Sequence, residues 1–108
     1  LAITANSGAK NLKHILFNNH CHDSVGGQPT ISNNIDTKNL IKSLGYKWIG
    51  SADSEEMLDK YLIHLKNNSG PCFLEIKIKK GFREDLGRPS ISPKKNKKNF
   101  MSFLSNEN

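Results

Sequence analysis

With 108 residues, 35% of them hydrophobic and 24% charged, the chain has the size and balance of one small globular domain and not of a disordered segment. No apolar run is long enough to span a bilayer, and the start lacks a signal-peptide pattern, so no membrane is expected; the two cysteines, in no disulfide pattern, give a reducing, cytoplasmic setting as the expectation. Much of the +6 net charge sits in Lys77, Lys79 and Lys80 and in Lys94, Lys95, Lys97 and Lys98; no aromatic residues alternate with them, so they are read as a solvated strand end and helix start, with no nucleic acid as partner.

The chain opens at Leu1 rather than Met and is read as a piece of a longer protein. Residues 1–9 read as the frayed end of an incoming element, stopped at Asn6-Ser7-Gly8. Leu12 to Phe17 is the first strand. Residues 18–35 are then a polar loop, long for a compact domain, and long loops are more often functional than idle. Asp36 caps a helix running to Leu44, with Leu40, Ile41 and Leu44 on one face and Gly45 as its end. Tyr46 to Ile49 is the second strand. Asp53 with Glu56 three residues on reads as a capping box. The helix it starts carries Met57, Leu58, Tyr61, Leu62 and Leu65 as its apolar stripe. Pro71 resets the chain into a third strand, Cys72 to Ile78. Residues 79–93 form a second polar loop, and a terminal helix carries Phe100, Met101, Phe103 and Leu104.

Strand, helix, strand, helix, strand with short connections predicts an α/β fold: a parallel βαβαβ sheet with covering helices and a trailing C-terminal helix. Ligands of such sheets bind beyond the strands' carboxyl ends. There the sequence places Phe17-Asn18-Asn19-His20-Cys21-His22-Asp23-Ser24-Val25-Gly26-Gly27-Gln28-Pro29-Thr30, a run crowded with donors, acceptors and hard oxygen ligands. Cys21 lies in this loop and Cys72 at a buried strand start; their spacing suggests neither a disulfide framework nor a zinc site.

Asn18-Asn19 at the end of a strand resembles the asparagines that close the thiamine-diphosphate motif. The continuation His22-Asp23-Ser24-Val25-Gly26-Gly27-Gln28-Pro29-Thr30 resembles the phosphonopyruvate decarboxylases in particular. Gly45-Tyr46, Gly70-Pro71, Gly87-Arg88-Pro89 and Phe100-Met101 recur in that family's order, so the resemblance spans nearly the whole chain. Members usually carry a small residue near Cys21 and Ile-Gly where Ile3-Thr4 stands here. The family's motif also opens with Gly-Asp-Gly well upstream of the asparagines, whereas residues 1–17 contain no aspartate.

The resemblance implies that residues 1–108 form the carboxyl-terminal part of the thiamine-diphosphate-binding domain, with thiamine diphosphate and Mg²⁺ as cofactors. Asn19 would give its amide oxygen and Cys21 its backbone carbonyl to the metal, and Ser24 and Val25 would line the cofactor. His22 and Asp23 are candidates for catalysis, and Gln28, Arg83 and Arg88 for holding the substrate. The implied reaction is decarboxylation of phosphonopyruvate, a small anionic 2-oxo acid, to phosphonoacetaldehyde and CO₂ in phosphonate biosynthesis. The intact enzyme is implied to be a homo-oligomer with active sites between subunits. Residues 1–108 alone are expected to be inactive, the upstream half of the cofactor site and the pyrimidine-binding domain being absent from them.

Plainer readings stand beside these. His14 and His64 read as strand-surface and helix-surface residues, and Trp48, Tyr61 and Phe73 as core. His20 and His22 are otherwise solvent-facing loop residues. Arg83 and Arg88 otherwise form surface ion pairs with Glu84 and Asp85. Gly26-Gly27 fixes the loop backbone rather than cradling phosphate. The alternative functions are decarboxylation of sulfopyruvate or another 2-oxo acid, and a non-catalytic remnant or accessory subunit.

Overall fold

The computed structural model describes residues 1–106. A short helix α1 (Ala2–Ala5) precedes strand β1 (Lys13–Asn18). A small hairpin, β2 (Cys21–His22) and β3 (Gln28–Pro29), follows, then helix α2 (Thr37–Ser43). Strand β4 (Trp48–Ala52), helix α3 (Glu55–Asn67), strand β5 (Cys72–Lys77) and helix α4 (Pro93–Asn106) complete the order. Strands β1, β5 and β4 form one parallel sheet in that order, with β5 central. The expected α/β class with a trailing helix is what the chain adopts.

Strand period two divides the sheet into two faces. On one, Cys72, Leu74 and Ile76 of β5 pack with Ala52 and with Leu65 of α3, flanked by Trp48, Met57, Leu58 and Tyr61. On the other, Phe73 packs with Ile41 of α2, Tyr46 and Ala5. Central β5 is covered on both faces, so Cys72 to Ile76 are all buried and, Glu75 apart, apolar.

Local chemistry explains the helices. Asp36 caps α2: one carboxylate oxygen accepts from Asn39 N at 3.0 Å and the other from Asn39 Nδ2 at 2.8 Å. Beyond the last turn Gly45 takes φ +100°, a left-handed value that only glycine adopts without strain. The cap of α3 differs from the expected capping box. Ser54, not Asp53, accepts from Met57 N, and Glu55 and Glu56 follow it in the first turn, where the helix dipole favours negative charge.

Other expectations need correction. The second strand starts at Trp48 rather than Tyr46 and runs on through Gly50, Ser51 and Ala52. Its partner β5 begins only at Cys72, level with Trp48, and Tyr46 turns aside onto Phe73 with ring centroids 5.6 Å apart. Gly50 leaves the room into which the Trp48 ring folds. Residues 2–5 form a helical turn instead of a frayed end. His14 is half-buried, not a surface residue: its ring lies 4.9 Å from that of Phe73, and Nδ1 is 3.1 Å from the Tyr46 hydroxyl. Leu40 and Leu62 are exposed, so each apolar stripe is narrower than its periodicity suggests. Trp48 and Tyr61 are half-buried, while Phe73 is fully core.

Candidate functional site

At the carboxyl edge of the sheet, β1 ends in Asn18 and the chain reverses sharply. His20 takes φ +57°, uncommon for a residue with a side chain and tolerated where surrounding bonds fix it. Those bonds come from the two asparagines. Asn18 Oδ1 accepts from His20 N at 3.1 Å, and Asn19 Oδ1 accepts from Cys21 N at 3.2 Å. Each asparagine thus closes a local turn over the two residues after it, which Asn does more readily than other residues.

After the turn, β2 pairs with β3 so that Cys21 faces Pro29. Pro29 has no N–H, and the ladder bond runs from Thr30 N to His20 O at 2.9 Å. In an antiparallel ladder the intervening pair exchanges no hydrogen bonds. The Cys21 carbonyl is therefore left outside the hairpin ladder. Gly26 and Gly27 bring the strand back with φ +110° and +70°, as a loop-fixing pair should.

Asp23 ties the motif loop to the loop after β5. One of its oxygens accepts from Asn19 Nδ2 and from Gly81 N, both at 2.9 Å; the other lies 3.2 Å from Cys21 Sγ. Lys80 Nζ donates to Gly27 O at 3.1 Å. The Gly81 amide, then the Cys21 thiol and the Asn19 amide, hold the Asp23 carboxyl below its usual range. Burial, then the hydrogen bond and charge of Asp23, push the Cys21 thiol up. The Cys21 thiol is thus harder to ionise than a free cysteine's.

On the far side of the turn, His20 Nδ1 lies 2.9 Å from Ser32 Oγ, and Ser32 Oγ donates to Asn18 Oδ1 at 3.2 Å. Asn18 Nδ2 donates to Glu75 Oε1 at 2.8 Å, and Ser51 Oγ donates to Glu75 Oε2 at 3.1 Å. Beside this network opens a cleft of about 420 Å³ lined by His20, Ser32, Lys38, Ser51, Glu75 and Lys77, among others. It combines two lysines with hydroxyls and one buried carboxylate.

The candidates from sequence are distributed unevenly. Asn19, Cys21 and Asp23 converge, all half-buried. His22 is exposed on β2; Ser24 and Val25 are exposed on a single 3₁₀ turn, and Gln28 is exposed opposite His22. Arg83 and Arg88 are exposed on the loop that follows Gly81, and Arg83 Nε pairs with Asp85 at 3.3 Å. Sequence reading did not single out Glu75, Ser51, Ser32, Lys80 or Gly81. For Glu75 there was a signal: an acid inside an otherwise apolar strand must find partners. The others meet only through space.

The donor set suits a hard divalent cation. The Asn19 amide oxygen accepts one bond and keeps a second lone pair, and the Cys21 carbonyl is outside the ladder; Mg²⁺ takes such oxygens. Among the described residues no three His, Cys, Asp or Glu side chains gather into a metal cluster, and two oxygens alone would not complete the shell of such a cation.

The chain is 31% identical over 94 residues to a phosphonopyruvate decarboxylase of Streptomyces viridochromogenes, covering 87% of this chain and 24% of that protein. It is 31% identical over 103 residues to a phosphonopyruvate decarboxylase of Streptomyces hygroscopicus, covering 95% of this chain and 26% of that protein. The chain thus spans about a quarter of the length of the curated relatives it matches. No protein-family profile matches it.

Proposed function

This chain is related to the phosphonopyruvate decarboxylases over about a quarter of their length, and we propose that it forms the carboxyl-terminal part of the cofactor-binding domain of a thiamine-diphosphate- and Mg²⁺-dependent decarboxylase. The reaction is loss of CO₂ from phosphonopyruvate to give phosphonoacetaldehyde, in phosphonate biosynthesis. One observation carries the reading: the Asn18–Cys21 turn at the carboxyl edge of a parallel sheet, which presents together an amide oxygen with one lone pair to spare and a main-chain carbonyl outside the hairpin ladder.

In this reading Asn19 and Cys21 would hold the metal, and Ser24 and Val25, on their exposed turn, would line the cofactor. Bound thiamine diphosphate supplies the electron sink that a 2-oxo acid needs to lose CO₂. The chain's own residues bind and orient. His22, exposed and next to the metal turn, is the candidate catalytic side chain. Asp23 positions Asn19 and Gly81, because its oxygens are already engaged. Gln28 donates toward substrate oxygens from the same hairpin. Lys38 and Lys77 at the cleft, and Arg83 and Arg88 when their loop folds over it, offset the charge of an anionic substrate. The active site lies between subunits of a homo-oligomer.

The test is turnover of phosphonopyruvate and of sulfopyruvate by the complete protein containing this chain, following CO₂ and the aldehyde. Mg²⁺-dependent turnover of phosphonopyruvate in preference is the expected result. Preference for sulfopyruvate would move the assignment to that substrate, and turnover of neither would point to an accessory subunit.

A further inference from the structure

Glu75 is an acid in a strand whose other members up to Ile76 are apolar, and it is buried to 6% exposure. Its place follows from register. Ser51 stands directly opposite it on β4 and Leu16 on β1. Period two then puts Asn18, two residues beyond Leu16, on the same face and one step nearer the carboxyl edge. Along this face β5 reads Phe73, Glu75, Lys77: core, buried acid, exposed base. Glu75 sits where the core gives way to the site.

Both oxygens of Glu75 are used, one by Asn18 Nδ2 and one by Ser51 Oγ. Asn18 is itself buried at 8%, and its amide has no freedom left. Its nitrogen donates to Glu75, while its oxygen accepts from His20 N and from Ser32 Oγ. With the nitrogen committed to Glu75, the oxygen must face the turn. The chain of bonds therefore runs from Ser51 through Glu75 and Asn18 to the N–H of His20, the residue held at φ +57°. That residue separates Asn19 from Cys21.

We propose that Glu75 is a positioning residue for the metal-facing turn: it orients the Asn18 amide, which locks His20 in its left-handed conformation and so aims the Asn19 amide oxygen and the Cys21 carbonyl at one point. Groups that orient metal ligands in this way affect metal affinity nearly as strongly as the ligands do. The proposal rests on the decarboxylase reading for the identity of what is bound. What Glu75 contributes is reach, since the donor it must meet belongs to an amide fixed on the neighbouring strand.

Reach and charge are separable by two conservative substitutions. Glu75→Gln keeps the length and an acceptor for Asn18 Nδ2, and its amide nitrogen can donate to Ser51 Oγ. Glu75→Asp keeps the charge and withdraws the acceptor by one methylene. In the complete protein with thiamine diphosphate, Mn²⁺ binding by electron paramagnetic resonance reads the metal. Hydrogen–deuterium exchange of the peptide over residues 17–23 reads the turn, with β5 as the internal folding control. The expected result is Mn²⁺ affinity near wild type for Glu75→Gln and about 10–100-fold weaker for Glu75→Asp, with faster exchange over 17–23 in the latter and unchanged protection of β5. Wild-type behaviour of Glu75→Asp in both readouts would overturn the role of Glu75. So would equal loss in Glu75→Gln, because reach without the charge would then fail to hold the turn. A wild type that takes up no Mn²⁺ would instead overturn the decarboxylase reading and the metal-directed part of this proposal with it. The exchange data would still show whether Glu75 fixes the turn.

Discussion

At the scale of single residues, Asp23 joins three segments that are far apart or only locally constrained: Asn19, Cys21 and the Gly81 amide. Its carboxyl is held low in the folded state, chiefly by the Gly81 N–H. The sign follows directly: a depressed carboxyl stabilises the fold above its ordinary value, near 3.8, and that contribution is lost as pH falls through the lower folded value. The Gly81 amide resonance is therefore expected to be flat from neutral pH to about that value and to shift only below it. Asp23→Asn should abolish the titration. The same substitution removes the charge that helps raise the Cys21 thiol, so alkylation of Cys21 by iodoacetamide at neutral pH should be slow in the wild type and faster in the variant. No change in alkylation rate would contradict the assigned contact. Legibility differs from residue to residue here. The asparagines, Cys21 and Asp23 were singled out because they lie in one contiguous polar run that resembles the thiamine-diphosphate motif. Ser32, Lys80 and Gly81 were not, since hydrogen bonds across 14, 53 and 58 positions leave no local trace.

At the scale of elements, helices followed their caps and periodicity closely, and the errors have definite causes. Asp53 and Ser54 are both good capping residues and adjacent in sequence, so the one-residue choice between them is set by where β4 ends, at Ala52. Ser54→Ala should destabilise by about 1 kcal/mol, while Asp53→Ala should cost much less; the reverse order in chemical denaturation would contradict the cap. Strand β4 was placed too early because Tyr46, Trp48 and Ile49 are strong strand formers and Gly50, Ser51 and Ala52 are not. Pairing with β5, whose ladder begins at Cys72, overrode that preference. The hairpin inside the 18–35 loop was missed because strands of two residues carry no alternation to detect.

At the scale of the whole molecule, the sheet is only partly covered. Its radius of gyration is 17.2 Å, against about 13 Å for a compact domain of this length. Helix α4 accounts for part of the excess, with Phe100, Met101, Phe103 and Leu104 all exposed. On β1, Ile15 and Phe17 share the face of Leu74 and Ile76, but α3 covers only the β4 and β5 end, leaving Phe17 64% exposed. One edge of β1 is also unpaired. Apolar patches and open edges of this kind invite association. The isolated 108-residue polypeptide is expected to self-associate in sedimentation at micromolar concentration and to release no CO₂ from phosphonopyruvate. A monomeric, active 108-residue chain would contradict this.

The parallel sheet, and the place of the Asn19, Cys21 and Asp23 cluster beyond its carboxyl edge, were legible in the alternation of strands and helices. The uncovered faces were legible only in outline, because periodicity marks an apolar side without saying what lies on it. The central claim is that Asn19 and Cys21 face a Mg²⁺ ion that carries thiamine diphosphate. The most direct measurement is calorimetric titration of thiamine diphosphate into the complete protein, with and without Mg²⁺, for the wild type and for Asn19→Ala. The expected result is Mg²⁺-dependent binding that weakens at least about tenfold in the variant. Binding that ignores Mg²⁺ or ignores the loss of Asn19, or no binding at all, would contradict the claim.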